Sequence, residues 1–573
     1  MATTTSRDGR FSWRAKGLGA IVDAAMASHR RAAAVLVLAA LLAFLPGFFQ
    51  VPPIDRDEAR FAQATKQMVE SGDYVDIRYQ DDVRYKKPVG IYWLQAAVVK
   101  TADTLGVPDS LTTIWLYRIP SLAGAVGSVL LTYWVALAFV TRRAAFLAAL
   151  MMASSILLGV EARLAKTDAM LLATILAAMG AMARVYLSER RPAQPGTDWT
   201  LPVIFWTALA AGILLKGPLI LMVVGLTVAT LAIVDRSARW LLALRPLLGS
   251  AWLIVLVLPW FLAILSRAGE SFLAESIGHD LLGKIASSQE AHGAPPGYYF
   301  ALFWLTFWPA SALAVMATPS LWAVRREKGA RFLLAWIVPA WIVFELLVTK
   351  LPHYVLPLYP AIAILIAGVV DQHMLARERW LARGATWFFV LPVIIGIGGV
   401  VGFMVFGRQL GLLAWPFAAG AVIFGLLAWR LFDADGAERS LLRAMVASVL
   451  IAITVYGVIM PSLPGLFPSA ALVRVLRDAG CPNPVAAAAG YHEPSLVFLA
   501  GTSTRLTDGA GAADFLRQGG CRFALIESRQ ERSFLRRADA IGLRYAPGRR
   551  IEGVNLATGR WNTITVYRSG VAP

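Results

Sequence analysis

The chain contains 573 residues, of which 58% are hydrophobic and only 16% are charged, and its mean hydropathy is +0.61. This composition excludes a soluble globular protein and is typical of a polytopic α-helical membrane protein. The net charge of +18 comes from Lys and Arg that fall mainly between hydrophobic segments, so it indicates orientation in a membrane rather than binding to nucleic acid.

The first 31 residues are basic and mildly amphipathic, and no cleavable signal peptide is evident. We therefore expect a cytoplasmic N-terminal segment, residues 1–31, followed by an uncleaved membrane anchor. Apolar windows of ~20 residues then predict about thirteen transmembrane helices. The predicted spans are residues 32–50, 118–140, 144–160, 167–187, 200–215, 217–234, 248–266, 299–322, 331–348, 354–370, 384–406, 411–430 and 441–460.

Basic residues cluster in alternate short loops between these spans, for example at Arg142 and Arg143. The positive-inside rule places those loops in the cytoplasm. The outer side then receives the loop 51–117, the segment 267–298 and, because the predicted number of spans is odd, the region 466–573. In a Gram-negative cell the protein would lie in the inner membrane, with these segments in the periplasm.

The interval 51–94 is the longest polar segment in the first half of the chain. Apolar residues recur at helical spacing after Asp57 and again after Lys87, which predicts two short helices lying on the membrane surface. The acids Asp57 and Glu58 precede the first helix, and the bases Lys86 and Lys87 precede the second. If these helix starts face each other, they would hold an anionic group beside a general base. The alternative is a solvated loop with scattered ion pairs.

Further polar residues follow at the ends of predicted spans on the same side of the membrane. They are Glu161, Arg163, Lys166 and Asp168 in one turn, Lys216 in an apolar segment, and Lys350, His353 and Tyr354 in a proline-rich turn. A transporter is expected to carry ionisable groups near the bilayer midplane, so groups at helix ends favour a membrane enzyme with an outward-facing site. A charged hairpin at the first turn and a structural histidine at the last stay open as alternatives.

The region 466–573 differs in composition from the membrane domain, which we place at residues 32–465. Alternating strand and helix patterns predict a small α/β domain. The predicted strands are 485–490, 504–508, 521–528 and 562–568, and the predicted helices are 471–480, 512–520 and 529–542. With only two cysteines, Cys481 and Cys521, a cysteine-rich metal centre is excluded and one disulfide is allowed in an oxidising compartment.

Six motifs occur in order along the chain: DEAR at 57–60, SGDYV at 71–75, YKKPVGIYWLQA at 85–96, LAKTDAM at 164–170, LLKGP at 214–218 and KLPHYVLPLYPA at 350–361. Together with the thirteen-span plan, they resemble the bacterial lipid A aminoarabinose transferase (ArnT) family of the GT-C superfamily, which also includes protein O-mannosyltransferases. The resemblance covers roughly residues 30–370. It implies a GT-C fold and an inverting glycosyltransferase that takes a sugar from a polyprenyl-phosphate donor at the periplasmic surface.

The resemblance also implies roles for individual residues. Asp57 matches the first-loop acid of the family and would act as general base on an acceptor hydroxyl, or orient an acceptor that is already anionic. Asp168 matches the second acid and is expected to be catalytic together with Asp57. Arg60 and Lys87 match residues that hold the donor phosphate as it leaves, a task that fixed cations suit. The expected substrate-binding set is completed by Glu58, Lys86, Lys216, Lys350, His353 and Tyr354.

Several functional details stay open at the level of sequence. Lys86 stands where the family often has an acid, which leaves a requirement for a divalent metal undecided; His279, Asp280, Glu290 and His292 are spaced too loosely to decide it. The expected acceptor is lipid A or another envelope glycolipid or glycan, with an envelope protein as the alternative. From a different class, a flippase for lipid-linked sugars would share the basic outer cavity. The segment YHEPSLVFLAGT at 491–502 matches no motif of the family.

Overall fold

The computed structural model describes residues 16–188, 198–269, 272, 293–376, 378–407, 411–556 and 558–570. Helices dominate the first part of the chain, as the apolar composition predicts. They are α1 (Lys16–Met26), α2 (His29–Phe44), α3 (Asp57–Ser71), α4 (Gly90–Thr104), α5 (Ile114–Ala136), α6 (Arg142–Ser154), α7 (Ile156–Ala162), α8 (Asp168–Leu187), α9 (Thr200–Lys216), α10 (Leu219–Asp235) and α11 (Pro246–Ala268).

The helical bundle continues through the middle of the chain. Its further helices are α12 (Tyr298–Thr306), α13 (Ser311–Val324), α14 (Lys328–Leu346), α15 (Tyr359–Asp371), α16 (Arg379–Ala382), α17 (Trp387–Gly407), α18 (Trp415–Arg430) and α19 (Phe432–Ala452). A 3₁₀ turn at Pro352–Leu358 leads into α15, and a π-helical segment at Ile453–Ile459 extends α19.

Within the described residues, seven helices are long and apolar enough to cross a membrane, or up to nine if each bent pair counts as one span. Three shorter apolar helices, α9, α10 and α18, accompany them. The multi-pass membrane architecture is therefore confirmed, whereas the predicted number of thirteen spans is not.

Two predicted spans are bent rather than straight. Residues 144–160 form α6 and α7, which meet at 60°, and residues 299–322 form α12 and α13, which meet at 117°. The second pair contains Pro309 at its break, where a missing backbone N–H weakens a continuous helix. The predicted span 299–322 is therefore a bent pair of helices and not one continuous helix, and the parity argument for the side of the C-terminal region depended on counting it as one crossing.

Small residues let the helices that carry the polar turns approach closely. A Cβ on Gly124 of α5 would lie 2.6 Å from the backbone nitrogen of Met170 in α8. Serines complete this contact, since Ser121 Oγ donates to the carbonyl of Lys166 at 3.0 Å. Close backbone approach through small residues is a common basis for helix association in membranes. It fixes the first turn of α8, where Asp168 lies.

The first loop folds into α3, a two-stranded hairpin of β1 (Arg78–Tyr79) and β2 (Asp82–Val83), and α4. Helix α3 ends at Gly72, which adopts the left-handed conformation usual for a helix C-cap. Most side chains of α3 are buried, polar Gln63, Thr65 and Lys66 among them. The predicted helices are therefore present, but α3 does not lie on a membrane surface, because protein covers it on several sides.

The last part of the chain, residues 468–570, is called the C-terminal unit below. Its five strands are β3 (Val485–Ala489), β4 (Arg505–Thr507), β5 (Arg522–Glu527), β6 (Tyr545–Asn555) and β7 (Arg560–Ser569), in the order β4-β3-β5-β7-β6. Strand β3 pairs in parallel with β4 and β5, and β7 pairs antiparallel with β5 and β6. The helices are α20 (Pro468–Asp478), α21 (Pro494–Ala500), α22 (Gly509–Arg517) and α23 (Glu531–Ala540).

Strand β3 explains how this sheet is buried on both faces. Ala486 and Ala488 belong to one apolar cluster, and Ala487 and Ala489 belong to another. Successive strand residues point to opposite faces, so alternate alanines pack against different helices. A disulfide joins Cys481 to Cys521 across 40 residues of sequence, which realises the pairing that the cysteine count allowed.

Candidate functional site

The N-terminal turn of α3 carries Asp57 and Arg60, three residues apart and therefore on the same face of the helix. Both side chains are partly exposed. Arg56, which precedes the helix, has φ 70° and ψ −113°, a conformation that side chains other than glycine rarely adopt. The proposed base therefore follows directly on a strained turn.

Glu58, the neighbour of Asp57, is 2% exposed and paired with Arg118 of α5. Arg118 Nε and Nη2 donate to the two carboxylate oxygens at 2.8 and 3.0 Å. The backbone N–H groups of Ile54 and Ala165 donate to the same carboxylate at 2.8 and 3.0 Å. Glu58 was expected to bind substrate, but its carboxylate is occupied by four protein donors, so it holds the loop in place instead.

A buried cluster of charged residues lies beneath this turn, where α7, the start of α8, the end of α9 and the 3₁₀ turn at 352–358 meet. Its members are Glu161, Lys166, Asp168, Lys216 and His353, with exposed side-chain fractions of 3 to 10%. Lys216 Nζ donates to Asp168 Oδ1. Lys166 Nζ lies 3.4 Å from Glu161 Oε1 and 3.7 Å from Asp168 Oδ2. His353 lies 3.7 Å from both carboxylates.

Electrostatic interactions connect this cluster to the first loop. Burial alone would lower the pKa of Lys166, but the carboxylates of Glu161, Asp168 and Asp57 raise it above its ordinary value. Lys87 is close enough for its charge to act on His353. Residues from the two helix starts of the first loop therefore converge on the polar turns that the sequence placed on the same side of the membrane.

The remaining predicted residues lie at different distances from this cluster. Lys216 Nζ sits 5.5 Å from the centre of the Tyr354 ring, which packs edge-on against His353. Lys87 Nζ donates to the carbonyl of Lys86, whose own side chain is exposed. Lys350 is 4% exposed and donates to the carbonyl of Leu347 at 2.5 Å. Its described contact is to the end of α14 and not to the cluster.

Glu161, Asp168 and His353 each place a ligand atom within 4.8 Å of the others, so their suitability for a metal can be tested on the geometry. The two carboxylates are already matched by two ammonium groups, Lys166 and Lys216, inside the same buried site. A divalent cation here would face two fixed positive charges in a medium that screens them poorly. The donor set does not fit a resident metal, and we derive no step through one. His279, Asp280, Glu290 and His292 lie outside the described residues.

Two residues of the site were missed by the sequence interpretation. Arg118 was assigned to a transmembrane segment without comment, although a lone arginine in an apolar helix signals a buried polar partner. Asp55 lies in the polar interval 51–94 and was given no role, yet it accepts a hydrogen bond from the backbone N–H of Ser495 at 2.9 Å. Its partner is 440 residues away, so sequence spacing carries no signal for that contact.

A cavity of about 240 Å³ lies behind α7 and is lined mainly by apolar side chains, with Arg163 and Tyr456 at its wall. Arg163 stacks 4.4 Å from the Tyr456 ring and donates to the carbonyls of Ala43, Pro46 and Gly159. None of the predicted substrate-binding residues lines this cavity. Arg163 therefore joins helices behind the site and does not belong to the charged cluster.

Residues 35–271 match the family described as dolichyl-phosphate-mannose-protein mannosyltransferase. An undecaprenyl phosphate-alpha-4-amino-4-deoxy-L-arabinose arabinosyl transferase from Edwardsiella ictaluri is 27% identical over 70% of this chain and 70% of its own length. The enzyme of the same name from Pectobacterium carotovorum subsp. carotovorum is 28% identical over 66% of this chain and 65% of its own.

Among solved structures, the chain is similar to ArnT from Cupriavidus metallidurans bound to undecaprenyl phosphate. The TM-score is 0.70 at 17% sequence identity, and the match covers 93% of this chain and 97% of the other. At this identity the likeness establishes a shared fold. It extends over the C-terminal unit as well as the helical bundle, beyond the region in which the sequence motifs occur.

Proposed function

We propose that the chain is an ArnT-like glycosyltransferase of the GT-C superfamily, which transfers a sugar from a polyprenyl-phosphate donor to an acceptor at the outer face of the inner membrane. The observation that carries the proposal is the convergence of Asp57, Lys87 and the cluster around Asp168 at the ends of membrane helices. These groups come from segments up to about 300 residues apart, and they combine an acid with several fixed cations, as displacement at a lipid phosphate requires.

In the proposed reaction, an acceptor oxygen attacks the anomeric carbon of the sugar. The bond from that carbon to the phosphate oxygen breaks, and the polyprenyl phosphate leaves with the electron pair, so the configuration inverts. When the acceptor is a hydroxyl, Asp57 takes its proton; when it is already anionic, Asp57 orients it. Arg60, Lys86 and Lys87 neutralise the charge that develops on the leaving phosphate.

The buried cluster has a supporting part in this proposal. Asp168 is paired with Lys216 and lies near Lys166, and Lys166 responds to the charge of Asp57. Asp168 therefore holds cations at the floor of the site rather than exchanging protons. Tyr354 lies beside Lys216 and packs against His353, which limits the freedom of Lys216. Fixed cations of this kind need no reorganisation as charge develops.

For the acceptor we propose lipid A or another envelope glycolipid, since the relatives reported above carry the name of aminoarabinose transferases. The description of the matching family gives the second candidate, an envelope protein with acceptor hydroxyls. Mass spectrometry of lipid A, glycans and envelope proteins from cells with and without the protein distinguishes the two. It identifies the acceptor and the mass of the added sugar in one experiment.

The role of Asp57 can be tested with Asp57→Asn, which keeps the shape of the side chain and removes the base. We expect sugar transfer to fall by about 10²–10⁴-fold with donor binding retained, because a positioned general base contributes about that much. Asp82→Asn is the matched control, an exposed acid in the same loop. Transfer at the wild-type rate by Asp57→Asn would remove the proposed catalytic role of Asp57.

A further inference from the structure

The segment 491–502, which matches no family motif, lies in the C-terminal unit and contacts the first loop. Its polar contacts follow α3 along most of its length. Lys66 Nζ donates to the carbonyl of Phe498 at 3.1 Å, and Gln63 Nε2 donates to Thr502 Oγ1 at 2.9 Å. Thr502 Oγ1 in turn donates to Glu70 Oε2 at 2.7 Å. The C-terminal unit is therefore bonded to the helix that begins with Asp57.

An apolar contact reinforces these hydrogen bonds. The ring of Phe498 is fully buried and packs edge-on against Tyr117 of α5, with 5.2 Å between ring centres. Ala62 of α3 and Ala165, from the turn before α8, belong to the same apolar cluster. Helix α21 thus inserts between the first loop and the membrane helices and is part of the protein interior.

At the start of α3, the backbone is strained at one residue. Arg56, with φ 70° and ψ −113°, sits where a residue without a Cβ would be expected. Such conformations are costly and persist only where the surroundings impose them, and they cluster at functional sites. This one lies between Asp55 and Asp57.

Two contacts hold the residues on either side of Arg56. On one side, Asp55 Oδ1 accepts the backbone N–H of Ser495 at 2.9 Å. On the other, Glu58 is held by Arg118 and by the N–H of Ile54. The first of these contacts comes from the C-terminal unit and the second from the membrane helices. Besides the backbone hydrogen bonds from Arg60 to Arg56 and from Ala59 to Ile54, the strained turn therefore has one neighbour held by the C-terminal unit and another held by α5.

We propose that Asp55 is a positioning residue through which the C-terminal unit, by way of Ser495, holds the strained turn at Arg56 and so directs the Asp57 carboxylate into the site. The inference rests on the proposed catalytic role of Asp57. It assigns a function to the contact between α21 and α3: the C-terminal unit completes the active site without touching the reacting groups. A misplacement of about 1 Å at a catalytic group can cost about a hundredfold in rate, so loss of this contact would be visible in kcat.

The test compares two substitutions at Asp55 in the full-length protein. Asp55→Ala removes the acceptor for the Ser495 N–H and should lower kcat at least about tenfold with the donor KM unchanged. Asp55→Asn keeps an acceptor oxygen and should stay within about threefold of wild type, which a role in charge alone does not predict. Asp514→Ala is the matched control, an exposed acid of the C-terminal unit paired with Arg537. Wild-type kcat in Asp55→Ala would overturn the inference.

A second comparison tests the strain directly. In the Asp55→Ala background, Arg56→Gly should recover at least about half of the lost activity on a logarithmic scale, since glycine adopts positive φ at little cost. Arg56→Ala removes the same side chain but retains the Cβ and should recover nothing. Equal activity of the two double variants would show that the contact between Asp55 and Ser495 does not control the backbone strain at Arg56, and would overturn the inference.

Hydrogen exchange separates this inference from the proposed function. Backbone amides of residues 54–60 should exchange at least about tenfold faster in Asp55→Ala than in wild type, and at the wild-type rate in Asp55→Asn and Asp514→Ala. This readout does not depend on sugar transfer, so it tests the contact between Asp55 and Ser495 even if Asp57→Asn leaves transfer intact. Unchanged exchange in Asp55→Ala would refute the positioning role of Asp55 while leaving the proposed catalytic role of Asp57 untouched.

Discussion

Neighbouring acids at the start of α3 have different tasks, and their partners decide which. Glu58 is buried against Arg118, which is 60 residues further along the chain and supplies two of its hydrogen bonds. Asp57, one residue earlier, is partly exposed and acts electrostatically on Lys166. The sequence gives both residues the same chemistry and adjacent positions. Only the fold, by burying one side of the helix, pairs Glu58 with Arg118 and leaves Asp57 partly exposed, as the proposed catalytic role requires.

Asp55 should make the stability of the protein depend on pH. The pKa of Asp55 is raised from 3.8 to about 6. Burial is the main cause, and the charges of Glu493 and Glu58 act in the same direction, whereas the hydrogen bonds from Ser495 oppose them. The folded protein thus keeps a proton that the unfolded chain releases, so this stabilisation is present below about pH 4 and is lost as the pH rises through about 6. At pH 8 the ionised carboxylate costs about 2–3 kcal/mol of unfolding free energy.

Asp55→Asn is therefore expected to raise the thermal unfolding temperature of the detergent-solubilised protein at about pH 8 and to change it little below about pH 4, where Asp55 is protonated in both the folded and the unfolded chain. The other titratable groups facing Asp55, which are Glu493, Glu58, Tyr79 and Tyr491, are the same in both proteins. Asp514→Asn controls for loss of an exposed acid. A stabilisation of equal size at both pH values would contradict the shifted pKa.

At the scale of elements, the sequence was most informative where periodicity was strong. The strands predicted at 485–490 and 521–528 are β3 and β5, and the helix predicted at 529–542 is α23. Strand β6 was missed, because Pro547, Gly548 and two arginines interrupt its alternation; its pairing with β7 continues past a register shift there. Helix α21 was missed because seven residues are too few to show a helical period.

Tertiary contacts explain the remaining differences at this scale. The apolar spacing of α3 predicted a helix correctly, but its hydrophobic face was assigned to lipid. In the structure Ala62 packs against Phe498 of the C-terminal unit, and Phe61 lies 5.5 Å from the ring of Tyr92 in α4. An amphipathic pattern shows that one face is covered and does not show by what.

The crossing of α5 and α8 gives a test at the scale of elements. Gly124→Ala would place a Cβ 2.6 Å from the backbone of Met170 and push the first turn of α8, with Asp168, away from Lys216. We expect a loss of about 1–3 kcal/mol in stability and a fall in transfer, since overpacking against backbone has no cheap relief. Gly127→Ala, with open space around its Cβ, should leave both unchanged. Equal thermal stability and activity of the two variants would contradict the close crossing.

For the whole molecule, the sequence placed the first loop and the region 466–573 on the same side by counting spans. The bent pair α12 and α13 removes the basis for that count. Direct contacts show in a different way that the first loop and the C-terminal unit share one side, because Asp55 and Gln80 of the first loop form hydrogen bonds with Ser495 and Thr504. Two segments in contact must share one side of the bundle, whichever number of helices separates them in sequence.

The disulfide stabilises the part of the C-terminal unit that contacts the first loop. Cys481 follows α20 and Cys521 directly precedes β5, so their bond closes a loop that contains β3, α21, β4 and α22. A cross-link over a separation of 40 residues is expected to stabilise the C-terminal unit by about 2–4 kcal/mol, mainly by restricting the unfolded chain. The segment that carries Ser495 and Phe498 lies within this closed loop. Loss of the bond should therefore reach the first loop through α21.

The double variant Cys481→Ser/Cys521→Ser should unfold its C-terminal unit at lower temperature and lose sugar transfer in parallel, before the membrane helices melt. Reduction of the wild-type protein with dithiothreitol, the control, should give the same shift and add nothing in the double variant. Transfer and circular dichroism are followed along one temperature ramp. If transfer persists after the C-terminal unit has unfolded, the first loop holds Asp57 by itself, and the molecule divides at α21 into two independent parts.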